Sequence, residues 1–158
     1  MINNEYITFT IPIKKTIALV AHDGMKTQLV NWVERNKDIL KNHTLCGTGT
    51  TARLITEKTG LTVVGYNSGP LGGDQQIGAR ITEGQINFVV FLCDPLASQP
   101  HDPDVKALTR ICAVYDIPMA NNTSTADFMI KSPLMSQEYD HKVINYHANI
   151  SKRVEELK

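Results

Sequence analysis

The sequence predicts an α/β fold in which residues 1–158 form a single domain, a three-layer sandwich with helices on both faces of a five-stranded parallel sheet. Two features of the sequence lead to this prediction. Short apolar runs alternate five times with segments whose apolar residues recur at helical spacing. The runs are apolar throughout rather than at every second position, which is typical of strands that are covered on both faces.

The five predicted strands are short and almost free of polar interruptions. They lie at residues 16–21, 43–47, 61–65, 87–92 and 117–120. The fourth, Asn-Phe-Val-Val-Phe-Leu, has the clearest strand pattern, and the second is the weakest.

Helices are predicted between these strands. The first is indicated by apolar residues at helical spacing, namely Met25, Leu29, Trp32, Val33 and Leu40. The next spans residues 52–58 and is closed by Gly60, and a third follows residue 74 and ends at Gly84.

Two further helices are predicted in the second half of the chain. Asp102 and Pro103 indicate a helix start, because Asp is favoured at the N-cap and Pro in the first turn. Ser124 and Asp127 are predicted to cap the helix after the fifth strand. A mixed tail then ends in the charged segment 151–158.

Charge and composition argue against several classes of function. The chain has 16 basic and 16 acidic residues, an isoelectric point near 7.0 and no stripe of lysine or arginine, so nucleic acid and anionic membranes are poor partners. Its apolar runs are too short to cross a bilayer, and residues 1–15 lack the pattern of a signal peptide. The three cysteines, an odd number without metal-like spacing, predict reduced thiols in a cytoplasmic protein.

One glycine-rich segment, Ser68 to Gln76, dominates the functional interpretation. It follows the third predicted strand and reads Ser-Gly-Pro-Leu-Gly-Gly-Asp-Gln-Gln. Glycine is typical of a backbone that turns sharply and approaches a ligand closely, and N–H groups at the start of a helix favour anions. The segment also contains a carboxylate, Asp74, which would repel an anion and therefore needs a function of its own.

Polar residues follow all five predicted strands. They are His22 and Asp23, Thr48 to Thr51, Ser68 to Asp74, Asp94, and Asn121 to Thr123. Ligands of open parallel sheets bind beyond the carboxyl ends of the strands, so we expect these residues to meet in one crevice.

Two of these turns are suited to a phosphate group. The threonine turn supplies hydroxyl and amide donors from Thr48, Gly49, Thr50 and Thr51, and the serine turn, Ser68 and Gly69, supplies the same groups one strand away. Taken alone, the threonine turn is better explained as a helix N-cap, but two such turns at one crevice favour phosphate. Lys26 is the nearby cation that would neutralise it, although a lone lysine is usually a solvated surface residue. The absence of a Walker motif argues against a nucleoside triphosphate.

Histidines complete the predicted crevice. Helix formation explains neither His101 nor Asp104, and a nearby carboxylate sets the tautomer and pKa of an imidazole. His22 with Asp23 is either a second such pair or a satisfied strand end. Metal binding by these four residues is an alternative, but their spacing matches no standard motif, so we expect no metal. The remaining histidines lack such companions and are predicted to lie at the surface: His43, His141 and His147.

Carboxylates that lie close together raise one another's pKa, which suits a general base near neutral pH. The candidates are Asp23, Asp74, Asp94 and Asp104. A phosphate site, a base and a neutral electrophile together predict enolisation of a small phosphorylated carbonyl compound. A glutamate and a neutral histidine perform that chemistry in triose phosphate isomerase.

Nearly the whole chain resembles the methylglyoxal synthase family. Two blocks are highly specific, Gly-Gly-Asp-Gln-Gln at 72–76 and Pro-His-Asp-Pro-Asp-Val-Lys-Ala-Leu at 100–108. Further matches are residues 17–23 with Lys26, 48–51, 68–71, 94–95 and 122–127. Departures are confined to the first dozen residues and to the tail after Lys131.

The resemblance implies a carbon–oxygen lyase that converts dihydroxyacetone phosphate to methylglyoxal and inorganic phosphate, in the methylglyoxal bypass of glycolysis. It also implies a fold of the flavodoxin or Rossmann type, assembly as a homohexamer, inhibition by phosphate, and no metal or organic cofactor.

The resemblance further implies roles for individual residues. Asp74 matches the catalytic base, His101 the imidazole that bonds the substrate's oxygens, and His22 a substrate-contacting position. Arg153 matches an arginine implicated in communication between subunits and in phosphate inhibition. The acidic positions that orient the site are matched by Asp23, Asp94 and Asp104. The phosphate-binding set is matched by Lys26, Thr48, Gly49, Thr50, Thr51, Ser68 and Gly69.

Two other functions fit the same fold. The allosteric domain of carbamoyl phosphate synthetase keeps a phosphate pocket but does no chemistry, and the cyclohydrolase domain of purine synthesis is a different enzyme. A binding module needs the threonine turn and Lys26 but has no use for Asp74 together with His101. This chain has both the phosphate-binding groups and the pair Asp74 and His101, which favours the lyase.

Overall fold

A five-stranded parallel sheet forms the centre of the structure, a computed structural model that describes residues 5–98 and 102–158. The strands of the described residues are β1 (Tyr6–Ile11), β2 (Thr16–Ala21), β3 (Thr44–Thr48), β4 (Val63–Tyr66), β5 (Phe88–Leu92), β6 (Met119–Ala120) and β7 (Tyr139–Ile144). The parallel sheet has the order β4-β3-β2-β5-β6, and β1 pairs with β7 in a separate antiparallel sheet. The predicted five-stranded parallel sheet is therefore confirmed.

Helices connect the strands and cover both faces of the sheet. They are α1 (Lys26–Arg35), α2 (Lys37–Leu40), α3 (Gly49–Thr59), α4 (Gly73–Thr82), α5 (Asp102–Val114), α6 (Thr123–Ile130) and α7 (Tyr146–Glu156). Short 3-10 turns lie at Asp23–Met25, Gly69–Leu71 and Pro133–Ser136. Among the described residues, no helix is both long enough and apolar enough to cross a membrane.

Strand β2 contributes to a separate core on each side of the sheet. Ile17 and Leu19 pack into a core formed with α1, α3 and α6, whereas Ala18 and Val20 pack into one formed with α4 and α5. All four side chains are buried. This two-sided burial is the physical reason why β2 is apolar at every position after Thr16.

The register of the sheet brings the carboxyl ends of its strands to one edge. Leu19 of β2 lies opposite Gly47 of β3, which in turn lies opposite Gly65 of β4. On the other side of β2, Ala21 lies opposite Leu92, the last residue of β5. The turns after β2, β3, β4 and β5 therefore start at nearly the same level.

The structure corrects several predicted details of the helices. The first helix is interrupted at Asn36, whose side-chain amide donates a hydrogen bond to the carbonyl oxygen of Trp32 (2.8 Å). The predicted cap at Ser124 is wrong, because Asn122 is the N-cap of α6 and accepts a hydrogen bond from the amide of Thr125 (2.8 Å). Asp127 instead accepts one from the indole nitrogen of Trp32 (2.9 Å).

His141 is buried, contrary to the prediction that it lies at the surface. Its Nδ1 lies 3.0 Å from the carbonyl oxygen of Asp116 and 3.7 Å from a carboxylate oxygen of the same residue. His43 is half-buried, with its Nδ1 accepting a hydrogen bond from the amide of Lys15 (3.0 Å). His147 is exposed, as predicted.

The close approach of β2 and β3 gives a prediction about stability. A Cβ at Gly47 would lie 2.4 Å from the carbonyl oxygen of Leu19, so the substitution Gly47→Ala must push two paired strands apart. We expect it to lower the free energy of unfolding by about 2–3 kcal/mol, measured by urea denaturation.

Gly78→Ala is the matched control for this measurement. Gly78 lies within α4, and its added Cβ would meet only the Leu108 side chain, at 4.0 Å. Because alanine favours a helix over glycine, we expect the free energy of unfolding to rise by about 0.5–1 kcal/mol. Equal effects of the two substitutions would contradict the role given to Gly47.

Candidate active site

A cavity of about 260 Å³ lies at the carboxyl edge of the parallel sheet, a volume suited to a small ligand. Residues from the ends of β2, β3 and β5 and from the turn after β4 form its walls. The described lining residues are Val20, Ala21, His22, Asp23, Lys26, Thr48, Thr50, Ser68, Gly69, Pro70, Asp74 and Phe91.

Most of the predicted site residues therefore meet in one place. The predicted residues that line the cavity are His22, Asp23, Lys26, Thr48, Thr50, Ser68, Gly69 and Asp74. His101 lies outside the described residues. As far as residues 5–98 and 102–158 define the cavity, Gly49, Thr51, Asp94, Asp104 and Arg153 do not line it.

The threonine turn forms the start of α3. Thr48 is the N-cap residue of α3 and is buried, yet its hydroxyl makes no capping hydrogen bond within the described part of the chain. The alternative explanation of this turn as a helix N-cap therefore does not hold for the Thr48 side chain. Thr50 lies in the first turn of α3 and lines the same cavity as Thr48.

Gly49 has a structural reason to be glycine. Its amide donates a long hydrogen bond to the carbonyl oxygen of Asn67 (3.4 Å), and a Cβ there would lie 2.8 Å from the carbonyl oxygen of Tyr66. The residue thus allows the threonine turn to approach the end of β4. Thr51 is fully buried, and its hydroxyl has no hydrogen-bond partner among the described residues.

The glycine-rich segment forms a tight turn that delivers Asp74 to the cavity. The carbonyl oxygen of Ser68 accepts hydrogen bonds from the amides of Leu71 (3.0 Å) and Gly73 (2.9 Å). Gly72 has a φ of 99°, a conformation that favours glycine. A Cβ at Gly73 would lie 2.1 Å from the carbonyl oxygen of Asn67, so this position also requires glycine.

Asp74 is a buried carboxylate in the first turn of α4. Only 2% of the surface of Asp74 is exposed, and the residue lines the cavity together with the serine turn. A base thus lies beside groups that are suited to bind an anion.

Hydrogen bonding fixes the orientation of His22. Its Nδ1 accepts a hydrogen bond from the amide of Asp94 (3.1 Å), and its ring meets Phe91 edge to face with centroids 5.4 Å apart. An Nδ1 that accepts an N–H cannot carry a proton, so the neutral imidazole carries its proton on Nε2. His22 therefore offers a hydrogen-bond donor on a ring that lines the cavity.

Lys26 is the one cationic side chain among the described residues that line the cavity. It forms an ion pair with Asp23, whose side chain is 93% exposed whereas that of Lys26 is 19% exposed. Because Asp23 is well solvated, it can exchange this contact for water at little cost. The ammonium group is then available to a bound anion.

Within the described part of the chain, the other predicted carboxylates and Arg153 do not line the cavity. Asp94 follows β5, and one of its carboxylate oxygens accepts a hydrogen bond from the amide of Leu96 (3.1 Å). Its other carboxylate oxygen would lie 2.8 Å from a Cβ at Gly24, so this carboxylate packs against the turn that follows His22. Asp104 lies in the first turn of α5, and Arg153 is exposed on α7.

The charge of Asp74 affects a neighbouring thiol. Burial, followed by the negative charges of Asp74 and Asp102, raises the pKa of Cys93 to about 11. Burial likewise raises the pKa of Cys46 and of Cys112 to about 11. All three cysteines are free thiols.

The described part of the chain contains no group of three or more His, Cys, Asp or Glu residues that could hold a metal ion. The residues that line the cavity carry an ammonium group, hydroxyls, backbone amides and an imidazole. This set is suited to a phosphate group and to a substrate oxygen.

Phe91 and Pro70 line the cavity but were not predicted as site residues. Phe91 is buried, and its sequence pattern is that of a core residue. The one feature of the sequence that could have identified Phe91 as a site residue is its position next to the carboxyl end of a predicted strand. Pro70 lies within the predicted glycine-rich segment.

Comparisons with known proteins show which family this chain resembles. The model of the MGS-like domain family matches residues 28–121. A methylglyoxal synthase from Clostridium acetobutylicum is 59% identical over 88% of this chain and 96% of its own length. One from Leptospira interrogans is 53% identical, over 90% of this chain and 97% of its own length. A crystal structure of methylglyoxal synthase from Elizabethkingia anophelis matches with a TM-score of 0.86 and 48% identity, covering 91% of this chain and 95% of that one.

The charge of Lys26 gives a prediction about anion binding. We expect Lys26→Met to weaken the binding of inorganic phosphate about 10- to 100-fold, because a charge-assisted hydrogen bond is lost. Isothermal titration calorimetry at constant ionic strength measures this change.

Lys41→Met is the matched control, since Lys41 also pairs with an aspartate three residues earlier, Asp38 (3.4 Å), but at an exposed position. It should leave phosphate affinity unchanged at the same ionic strength. Similar losses in both variants would mean that general surface charge, rather than the cavity, binds the phosphate.

Proposed function

Because the chain belongs to the methylglyoxal synthase family, we infer that it is a carbon–oxygen lyase that converts dihydroxyacetone phosphate to methylglyoxal and inorganic phosphate. The reaction passes through an enediolate. The structural observation that best supports this function is the presence of a buried carboxylate, Asp74, in one cavity with Lys26 and the two hydroxyl-bearing turns.

In this proposal Asp74 is the general base. It takes a proton from the substrate carbon that bears the hydroxyl group, and the electron pair of that C–H bond forms the carbon–carbon double bond of the enediolate. Its burial next to a phosphate site supports this role, because a desolvated carboxylate is a stronger base than one in water.

Elimination of phosphate then completes the reaction. A carbonyl double bond forms at the carbon that bears the hydroxyl group, the carbon–carbon double bond shifts to the terminal carbon, and the bridging C–O bond breaks. Inorganic phosphate leaves with the electron pair of that bond and takes up the hydroxyl proton. The remaining enolate takes up a proton at its terminal carbon and becomes methylglyoxal. The protonated Asp74 is a suitable source of that proton, which would return the base to its initial state.

The proposed phosphate site controls whether elimination can occur. The C–O bond breaks readily only if it lies across the plane of the enediolate, where it overlaps with the π electrons. We propose that Lys26, the threonine turn and the serine turn hold the phosphate in that position and stabilise it as a leaving group. Their arrangement around one cavity beside Asp74 supports this role.

His22 and His101 are proposed to act on the substrate's oxygens. The Nε2–H of His22 is suited to bind a developing oxyanion, and the same role is proposed for His101 on the basis of the family motif. The proposed contribution of Asp94 is indirect, since its amide orients His22. Asp23 would orient the ammonium group of Lys26 through their ion pair, and Asp104 is proposed to orient residues at the start of α5.

Several finer properties are also proposed. We propose a single domain that works in the cytoplasm without a cofactor, assembles as a homohexamer and is inhibited by phosphate, with Arg153 acting between subunits. The exposed apolar side chains of Tyr6 and Phe9 on β1, and of Ile150 and Val154 on α7, support assembly. Light scattering of the purified protein tests the hexamer.

A phosphate-binding regulatory domain is the competing function. It would need the cationic and hydroxyl groups of the cavity but not a buried carboxylate beside them. Removing Lys26 would impair both functions, whereas removing Asp74 would impair only the lyase.

The proposed reaction is tested by incubating the protein with dihydroxyacetone phosphate and EDTA. We expect equal amounts of methylglyoxal and inorganic phosphate, because one elimination releases both and no metal takes part. Phosphate without methylglyoxal would indicate a phosphatase and contradict the role of Asp74. Binding of phosphate without any product would indicate the regulatory domain.

Replacing Asp74 separates catalysis from binding. We expect Asp74→Asn to lower kcat by at least about 10²–10⁴-fold, because an amide cannot accept the proton, and to leave phosphate affinity and folding almost unchanged. Turnover is measured by methylglyoxal release, and affinity by calorimetry. Turnover near that of the wild type would exclude Asp74 as the base.

A further inference from the structure

The serine turn extends from an edge strand of the parallel sheet. β4 is an edge strand that pairs with β3, and its residues Val64 and Gly65 are exposed. Asn67 joins its last residue, Tyr66, to Ser68. The end of an edge strand opens more readily than a central strand unless another element holds it.

Hydrogen bonds hold Asn67 from two directions. Its carbonyl oxygen accepts the long bond from the amide of Gly49, 3.4 Å, on the side of the threonine turn. Its own amide donates a shorter bond to the side-chain oxygen of Gln76, 2.8 Å. Gln76 lies on α4, two residues after Asp74, so this bond connects the end of β4 to the helix that carries the proposed base.

Arg80 makes a second contact from α4 to the same strand end. Its guanidinium carbon lies 4.3 Å from the centre of the Tyr66 ring, a cation–π contact. Arg80 is one helical turn after Gln76 and donates a hydrogen bond to its carbonyl oxygen (3.3 Å). The same face of α4 thus holds both Tyr66 and Asn67.

We propose that Gln76 is a positioning residue that fixes the serine turn relative to Asp74. Within the described part of the chain Gln76 does not line the cavity, so it acts through the amide of Asn67. This inference rests on the proposed function, because the lyase needs the phosphate and the base held in one geometry. Gln76 is therefore the link between proton abstraction on α4 and phosphate binding after β4.

Gln76→Met tests the proposal by kinetics. Methionine has a similar length but lacks the oxygen that accepts the Asn67 amide. We expect KM for dihydroxyacetone phosphate to rise and kcat to fall, with kcat/KM lowered about fivefold, the effect of one lost hydrogen bond that holds the phosphate turn relative to the base. Unchanged kinetic constants would overturn the proposal.

The neighbouring glutamine provides the matched control. Gln75 is exposed, so Gln75→Met makes the same chemical change one residue away. It should leave both kinetic constants within twofold of the wild type. An equal rise in KM would mean that α4 is generally sensitive to this substitution and would overturn the specific role of Gln76.

Hydrogen exchange at the Asn67 amide tests the contact without any turnover. We expect exchange to be about five to ten times faster in Gln76→Met and to return towards the wild-type rate in Gln76→Glu, which keeps an acceptor oxygen. An unchanged rate in Gln76→Met would overturn the proposal. If the wild-type protein released no methylglyoxal, the proposed function would fail, whereas this measurement would still decide whether Gln76 holds the turn.

Discussion

The parallel pairing of β2 with both β3 and β5 is the constraint on which the cavity depends. Strands that run in the same direction with this register end at one edge, which is where His22, Thr48 and Phe91 meet. A shift of one residue in β3 would turn Thr48 to the opposite face of the sheet. Gly47 makes this register possible, because any side chain there would strike the backbone of β2. The core of the fold and the geometry of the cavity are therefore set by the same backbone contacts.

The sequence was sufficient to predict the central sheet because its strands are buried on both faces, which leaves a continuous apolar run as a local signal. It was not sufficient to predict the pairing of β1 with β7. Most residues of β1 are exposed, and Tyr6 pairs with Ile144 at the far end of the chain. The start of α3 at Gly49 was also missed. Threonine and glycine are common in loops, and the fold rather than local propensity makes these residues helical.

The site was predictable as a set of residue types at strand ends, and most of them do meet in the cavity. Their individual contacts were not predictable. Gly49 was predicted as part of a phosphate-binding turn, but its amide donates a hydrogen bond to the carbonyl oxygen of Asn67. Because Gly49 has no side chain, the threonine turn can lie against the backbone of Tyr66. The orientation of His22 depends on the amide of Asp94, which comes from another strand. His141 appeared isolated in the sequence because its partner, Asp116, belongs to a separate turn. Such pairings arise only when the chain is folded.

The raised pKa of the cysteines has a consequence for a protein that releases an α-oxoaldehyde. Only the thiolate form of cysteine adds readily to an electrophilic carbonyl carbon. With a pKa of about 11, Cys46, Cys93 and Cys112 are ionised in roughly one molecule in 10⁴ at pH 7. Cys93 is the most accessible of the three, and it is also the one that the charge of Asp74 protects further. Burial, with a smaller contribution from the carboxylate proposed to start the reaction, thus keeps the Cys93 thiol in the protonated form that adds poorly to the carbonyl carbons of the product.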